Sequence, residues 1–370
     1  MSAIETRGSG PDPGGDGGGE GVEAVPPRSL GTLAAGLPRL IMALAASLGV
    51  VALAVLAFGA NPLNVGKTII DSALGSEFGI GQVITIGGIL TLTGLAAALP
   101  FTAGFWNVGG EGQLFAGAIG ATLIALSVGH SLGPVFGVIA VLLAALIAGA
   151  IWGGIAGGLK AAFNINEVIV SLMLVFIAIA AGDYVIRAVV PSAGSAPQTE
   201  SYPDTVLLPT IWDAGLVTIG PIIAVLVAVA LWFLMKYTPL GFKIRAVGLN
   251  PRTARLNGIS GRRLALQTFV IGGAAAGLGG GIAVLGQGAL VSNFSPQYGF
   301  LGIAVALLAR LNPIWIIPAA FTFSVLRVGS NGLFVAEGLD PAVGDLLVAT
   351  FIIALLLFGL VRLPSGRAGL

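Results

Sequence analysis

The sequence predicts an all-α polytopic membrane protein with about ten transmembrane segments. Of its 370 residues, 56% are hydrophobic and only 9% are charged, whereas about a quarter of the residues in a soluble domain carry a charge. Apolar runs close to the roughly 20 residues that span a bilayer recur along the chain. Its 58 glycines are typical of helices that pack closely inside a membrane.

Composition excludes several kinds of site. The chain has no Cys, which rules out a disulfide, a thiolate metal site and a Cys nucleophile. A net charge of +1 gives no indication of nucleic acid binding. The run that ends in Gly66, Lys67 and Thr68 looks like a phosphate-binding loop, but Asn61 stands where that motif needs Gly. We therefore predict that this chain binds no metal, no nucleotide cofactor and no nucleic acid.

Stretches of different composition define the predicted domains. Residues 1–37 are rich in Gly, Pro and acids and hold few apolar side chains, so they are expected to form a disordered tail. Residues 38–363 form the predicted transmembrane domain, and residues 364–370 form a short second tail. Within the transmembrane domain, residues 237–263 are predicted to be a polar loop.

Ten apolar runs approach the length of roughly 20 residues that a membrane helix needs. The run at 297–309 is short, so it is expected either to span or to re-enter the membrane. The predicted segments are approximately 39–60, 80–101, 111–128, 134–157, 166–188, 219–236, 264–287, 297–309, 313–332 and 346–363.

Charge asymmetry predicts the orientation of these segments. If ten segments alternate, the loops rich in Lys and Arg fall on one side of the membrane, together with both termini. The loops 191–218 and 333–345 fall on the other side, and they carry acids but no Lys or Arg. Because Lys and Arg accumulate in cytoplasmic loops, both termini and the 237–263 loop are predicted to be cytoplasmic.

Glycines at four-residue spacing predict a close helix crossing. The fourth and seventh segments each carry three of them, a pattern that lets two helix backbones approach. These glycines are Gly149, Gly153 and Gly157 on the fourth segment, and Gly273, Gly277 and Gly281 on the seventh.

Two polar patches interrupt the apolar first half. In the first, Asn107-Val-Gly-Gly-Glu-Gly-Gln113, the carboxylate of Glu111 either benefits from the dipole of a helix N-terminus or lines a pore. The second opens the fifth segment, where Asn166 can cap the helix. Ionisable groups at membrane depth usually face the bundle interior or a cavity. The predicted solute-pathway residues are Asn107, Glu111, Gln113, Asn164, Asn166, Glu167, Ser171 and Phe176.

Two further predictions concern charges within the segments. Asp183 and Arg187 lie four residues apart on the fifth segment and are expected to pair along one helix face. No lone Lys or Arg is expected in the middle of a segment, where an unpaired charge would be costly. An anionic solute is therefore disfavoured.

The 237–263 loop is strongly basic and contains no acid. Asn250 is a suitable N-cap, Pro251 suits the first helical position, and Gly258 suits the residue after the helix. This pattern predicts a short helix over Pro251–Asn257. The loop is either a solvated segment that only sets orientation or a surface for a cytoplasmic partner. With Lys236, its basic residues are Lys243, Arg245, Arg252, Arg255, Arg262 and Arg263.

Four stretches, taken together, resemble the permease subunits of ATP-binding-cassette importers. Two are the Asn107–Gln113 patch and Phe163-Asn-Ile-Asn-Glu-Val-Ile-Val170; the others are Ala246-Val-Gly-Leu-Asn-Pro251 and the run from Tyr298 to Pro313. The branch that fits handles nucleosides and simple sugars and is related to the branched-chain amino-acid permeases. The resemblance covers roughly residues 38–363. It implies the bundle of a type II importer permease in a bacterial cell (inner) membrane.

The resemblance also implies partners. It identifies the short helix of the basic loop as a coupling helix that docks on a separate ATPase subunit, which would bind ATP and Mg. A second permease subunit, identical or not, and an extracytoplasmic solute-binding lipoprotein complete the implied assembly within membrane lipid. The chain itself is then not an enzyme. The implied coupling residues are Arg245, Gly248, Asn250, Pro251, Ala254, Arg255 and Gly258.

The implied solute is neutral and polar, a nucleoside first and a simple sugar second. The chain departs from the family at Val175, Leu301, Ala309 and Arg255, where Asn, a polar residue, Gly and Ala are common. The first two departures remove polar groups from predicted pathway segments and keep the sugar alternative open. An ion-coupled secondary transporter remains a second alternative, because broken helices and midplane polar sites serve either class. The absence of a catalytic constellation disfavours a membrane enzyme.

Overall fold

The computed structural model describes residues 37–57, 59–129, 131–338 and 341–357. The chain divides into two compact units, residues 1–42 and 43–370. Only the start of the first helix is described in the first unit. The predicted tails 1–37 and 364–370 lie outside the described residues, apart from Leu37 itself.

Helices dominate the described residues. They are α1 Leu37–Ala57, α2 Pro62–Leu74, α3 Glu77–Thr102, α4 Gly110–Val128, α5 Pro134–Phe163, α6 Glu167–Tyr184, α7 Gly220–Tyr237, α8 Pro239–Leu249, α9 Pro251–Leu256, α10 Gly261–Gln287, α11 Tyr298–Leu308, α12 Pro313–Glu337 and α13 Pro341–Leu357. A π-helical turn, Val185–Val189, continues α6, and a short 3₁₀ helix covers Asp204–Val206.

A small antiparallel sheet corrects the all-α prediction. Strand β1, Thr210–Trp212, pairs with β2, Val217–Thr218, in the loop between α6 and α7. The strands are three and two residues long, too short to produce a hydrophobic alternation that marks a strand. The correction is local, because the sheet lies outside the candidate membrane helices.

The predicted count of about ten spans is not confirmed. Within the described residues, seven helices are long and apolar enough to cross a membrane: α3, α4, α5, α6 with its π turn, α7, α10 and part of α12. An eighth span would require Leu48–Ala57 and Pro62–Leu74 together, and these are bent by 110°. Helix α11 has only 11 residues, and the apolar part of α13 is Val343–Ala354. Each predicted segment overlaps a helix, but not every helix reaches spanning length.

Side-chain caps and prolines determine where several helices begin. Asn312 Oδ1 accepts from the Ile314 amide at 3.1 Å, directly before the proline that opens α12. Asn166 Oδ1 accepts from the Val168 amide at 2.9 Å at the start of α6. Such caps satisfy amides that the first helical turn leaves without a partner. These starts are therefore visible in the sequence.

The predicted glycine crossing is confirmed. A Cβ atom added to Gly149 would meet the backbone of Gly273 and Gly277, and one added to Gly153 would meet the backbone of Phe269 and Gly273. Glycines on both helices therefore let the backbones of α5 and α10 touch. Gly281, the last member of the pattern, faces the Ala145 side chain. This crossing packs α5, which is mostly exposed, against α10, one of the most buried helices of the bundle.

Candidate functional site

A buried amide pair lies where the chain turns from α3 into α4. Asn107 and Gln113 are both almost fully buried. Asn107 Nδ2 donates to Gln113 Oε1 at 3.1 Å, and Gln113 Nε2 donates back to Asn107 Oδ1 at 3.0 Å. Asn107 also donates to the Ala96 carbonyl at 3.1 Å and accepts from the Gly109 amide at 3.1 Å. The pair thus ties the turn to the C-terminal part of α3.

Glu111 connects α4 to α11. Its side chain is only 2% exposed, and Oε2 accepts from the Gly299 amide at 2.6 Å. Gln297, which precedes α11, has φ 64° and makes no side-chain cap bond to that helix. Glu111 therefore supplies the N-terminal cap of α11 from another helix, across 188 positions of sequence. Gly299 permits this approach, because an added Cβ would meet the backbone of Glu111.

Ser171 and Glu167 hold the start of α6 against the same turn. Ser171 Oγ accepts from the Val108 amide at 3.3 Å and donates to the Val168 carbonyl at 3.2 Å. Glu167 Oε2 pairs with Lys160 Nζ at 3.0 Å, and its Oε1 accepts from the Trp106 amide at 3.4 Å. Both side chains therefore connect elements of the bundle.

Asn164, Asn166 and Phe176 lie on the exposed side of the bundle. Asn164 ends α5 in a left-handed conformation, with φ 54°. Asn166 is exposed and caps α6. Phe176 is 60% exposed on the same helix, beside exposed Met173 and Ile177. The predicted pathway residues thus form a buried polar group and a separate exposed group along α6. Their role in a solute pathway stays a prediction.

The predicted pairing of Asp183 with Arg187 is wrong. Asp183 Oδ1 instead accepts from the Ser292 hydroxyl at 3.1 Å. The π-helical turn that begins at Val185 adds a residue to the helical turn, so the side chain of Arg187 leaves the row expected for an α-helix. The loop after α10 is joined to α6 through this contact.

One cation lies within a predicted segment, and it is paired rather than lone. Arg327 lies well inside α12, and its side chain is only 13% exposed. It forms an ion pair with Asp345 of α13, and its Nε is buried without a hydrogen-bond partner. A charge inside a membrane helix usually has a partner on a neighbouring helix. The pair was not predicted from the sequence, because its two residues lie on separate helices.

The basic loop folds into two helices, α8 and α9. The predicted helix is confirmed as Pro251–Leu256, one residue shorter than expected. Asn250 Oδ1 accepts from the amides of Arg252 and Thr253 at 3.1 and 3.0 Å, and Gly258 has φ 76°. Helix α8, Pro239–Leu249, was not predicted, although Thr238 caps it and a proline opens it.

The two helices are held against the bundle. A Cβ added to Gly248 would meet the Thr102 carbonyl at the end of α3, so only Gly allows this contact. Ala254 is 4% exposed and lines a cleft of about 590 Å³ between α8 and α9. Ala254 therefore packs inside the loop, and Pro251 and Arg255 remain exposed. Arg245 instead lines a cavity on the other side of α8.

Large apolar side chains on this loop are exposed. Leu249 at the end of α8 is 87% exposed, and Leu256 at the end of α9 is 82% exposed. Phe242 is also exposed, at 61%. These exposed residues were not predicted from the sequence, although their apolar character next to cations is visible there. Exposed apolar side chains interspersed with Arg are typical of a surface that binds another protein.

The described residues hold no group of three or more His, Cys, Asp or Glu side chains placed to bind a metal ion.

The polar turn, the capped helices and the basic loop fall within one family match. Residues 79–358 match the family described as "Branched-chain amino acid transport system / permease component". The chain belongs to this family. It is therefore an integral membrane component of a transport system rather than an enzyme.

Curated relatives cover nearly the whole permease. A glucose ABC transporter permease protein of Haloferax volcanii is 36% identical over 88% of this chain and 87% of its own length. A nucleoside ABC transporter permease protein of Lactococcus lactis is 33% identical over 86% and 90%. A guanosine ABC transporter permease protein of Bacillus subtilis is 31% identical over 90% and 95%. Among solved structures, PsaBC from Streptococcus pneumoniae in complex with Fab aligns at 16% identity and a TM-score of 0.44, over 78% of this chain and 94% of that chain.

The two apolar departures occupy different environments in the permease. Val175 is 1% exposed and packs inside the bundle against α4, where a Cβ added to Gly112 would meet its backbone. Leu301 is partly buried in the first turn of α11. Val175 points inward from α6. Val in place of the Asn that is common in the family therefore alters packing inside the bundle and does not alter the exposed row of that helix.

Proposed function

We propose that this permease is the membrane subunit of an ATP-driven importer for a nucleoside. It belongs to a permease family, and two relatives at 33% and 31% identity are described as nucleoside and guanosine permeases. A simple sugar is the second candidate, because the glucose permease is 36% identical. Family membership disfavours the ion-coupled secondary transporter. The ATPase, a solute-binding protein and a second permease subunit are the proposed partners.

The exposed surface of the α8–α9 loop carries the proposal. Leu249 and Leu256 expose apolar area, and Arg252 and Arg255 add charge beside them. The contact between Gly248 and the end of α3 connects this surface to a long bundle helix. Motion of a bound ATPase would therefore be transmitted to α3 through tightly packed backbone. ATP and Mg would bind to the ATPase and not to this chain.

The exposed row of α6 supports a neutral, ring-bearing solute. Phe176 offers a face on which a base can stack, worth roughly 1–3 kcal/mol per base at protein rings. Asn164 and Asn166 are exposed just before the start of α6, whereas Phe176 lies near its middle, and the two Asn side chains carry amides without net charge. Glu167, the acid that follows Asn166, is paired with Lys160 and adds no free charge to this surface. This surface also suits contact with the second permease subunit.

Transport assays decide the solute. The permease is reconstituted in vesicles with its ATPase and solute-binding protein, and uptake of labelled guanosine and glucose is measured. We expect ATP-dependent uptake of guanosine that unlabelled nucleosides inhibit. Uptake of glucose alone would replace the nucleoside by the sugar candidate. Uptake of an amino acid with no response to nucleosides or sugars would contradict both.

The proposed orientation places both termini and the α8–α9 loop in the cytoplasm. The native chain has no Cys, so single Cys variants report on accessibility directly. An impermeant thiol reagent added to intact cells is expected to label Asp213→Cys, which is exposed in the β1–β2 turn. The same reagent is expected to leave Arg255→Cys unlabelled until the membrane is permeabilised. The reverse pattern would overturn the orientation.

A further inference from the structure

A large basic cavity lies between α8 and the bundle. Its volume is about 1010 Å³, and the ends of α3, α7 and α11 border it together with α8. Lys236, Arg245 and Arg310 line it, and none of its described lining residues is Asp or Glu. Phe101, Trp106 and Trp232 form much of its apolar wall. The cavity shares no lining residue with the exposed row of α6. It lies on the other side of α8 from the cleft between α8 and α9, and Leu249 borders both.

Two of the cations that line the cavity, Lys236 and Arg245, form no ion pair with an acid among the described residues. Lys236 lies over the rings of Trp232 and Tyr237, at 4.8 and 5.1 Å from their centroids. These contacts keep its ammonium beside the cavity wall without cancelling its charge. The carboxylate beside Trp106 belongs to Glu167, and that carboxylate is paired with Lys160 at 3.0 Å. The described structure therefore combines several cations with an apolar wall.

The position of the cavity indicates what can reach it. Lys236 lies in the last turn of α7, and Arg310 follows the end of α11. Trp106 is 46% exposed just after α3. Trp residues at the ends of membrane helices usually mark the boundary between lipid and water. A cavity at this depth opens where lipid headgroups lie, and basic pockets between helix ends suit anionic headgroups.

We propose that this cavity binds the headgroup of an anionic phospholipid. The phosphate lies between Lys236 and Arg245, and the upper acyl chains pack on Trp232 and Phe101. A free phosphate would use the cations but not the apolar wall, which is why the lipid is the better occupant. This proposal does not depend on which solute the permease carries, because the cavity shares no residue with the proposed solute surface. A lipid bound here contacts both the end of α3 and α8, the two elements joined at Gly248.

Lipid binding to the purified full-length permease tests the proposal. The protein is held in a neutral detergent, titrated with phosphatidylglycerol or phosphatidylcholine, and followed by native mass spectrometry. We expect saturable binding with a clear preference for phosphatidylglycerol. The variant K236Q/R245Q should bind phosphatidylglycerol roughly thirtyfold more weakly, since each cation near a membrane surface contributes about fivefold.

A matched variant controls for charge. R262Q/R263Q removes the same charge from exposed positions at the start of α10, outside the cavity, and should bind within about twofold of the native protein. R245Q alone, at a half-buried position, should weaken binding by about fivefold if the double variant fails to fold. Equal phosphatidylglycerol affinity in native protein and K236Q/R245Q would overturn the proposal. So would equal losses in both double variants, or displacement of the lipid by millimolar inorganic phosphate.

Discussion

Replacing Asn107 tests whether the buried amide pair holds the α3–α4 turn in place. Asn107→Leu keeps the number and the branching of the side-chain heavy atoms and removes the polar atoms. It deletes the two bonds to Gln113 and the bonds to Ala96 and Gly109. Gln113→Leu deletes only the two bonds that the amides share. The two variants therefore remove overlapping sets of hydrogen bonds.

The overlap determines the expected free energies. At about 1 kcal/mol for each buried hydrogen bond, Asn107→Leu lowers the free energy of unfolding by about 4 kcal/mol, and Gln113→Leu lowers it by about 2 kcal/mol. The double variant removes no further bond beyond those lost in Asn107→Leu, so it costs about 4 kcal/mol instead of about 6 kcal/mol. The coupling free energy between Asn107 and Gln113 is thus about 2 kcal/mol.

The free energy of unfolding of all four proteins is measured in mixed micelles by titration with a denaturing detergent. Ser127→Ala is a suitable control, because its hydroxyl bonds only the carbonyl of an exposed helical turn, and it should change stability by less than about 0.5 kcal/mol. Additive losses, with a coupling free energy near zero, would refute the reasoning. They would show that the two amides do not depend on each other for their hydrogen bonds.

Three further substitutions probe the crossing and the loop. Gly149→Ala should lower the free energy of unfolding by about 1–3 kcal/mol, because its Cβ meets the backbone of α10. The control Gly286→Ala, with open space around it, should leave the free energy of unfolding unchanged. Equal losses in the two variants would contradict the crossing. Asn250→Ala should remove about 1 kcal/mol of stabilisation by the cap and speed hydrogen exchange of the first α9 amides about fivefold. Asn250→Asp keeps an acceptor and should keep these amides protected. Unchanged exchange in the Ala variant would count against the cap. Gly248→Ala should separate α8 from α3 and lower ATP-driven uptake at least tenfold, the effect of about 1.4 kcal/mol, with the ATPase still bound. Gly261→Ala, whose Cβ has only an ordinary contact, should transport normally, and normal uptake in the Gly248 variant would exclude that connection.

The sequence alone determined the class of protein and the local starts of its helices. Apolar runs identify membrane segments because each residue contributes to transfer from water independently of distant partners. Asn166 and Asn250 identify helix starts because a cap acts on amides two or three residues away. Gly149 and Gly273 indicated a close crossing because their spacing repeats on one helix face. Each of these signals is contained within a few turns of chain.

Tertiary structure alone decided which distant groups meet. The sequence places Asn107 and Gln113 in one polar patch, but their reciprocal bonding depends on how the turn folds back onto α3. Glu111 reaches the Gly299 amide across 188 positions, and no local pattern specifies that partner. The number of full spans is likewise a tertiary property. Hydropathy marks where apolar helices lie, whereas their length and bending depend on neighbouring helices that satisfy backbone groups and fill space.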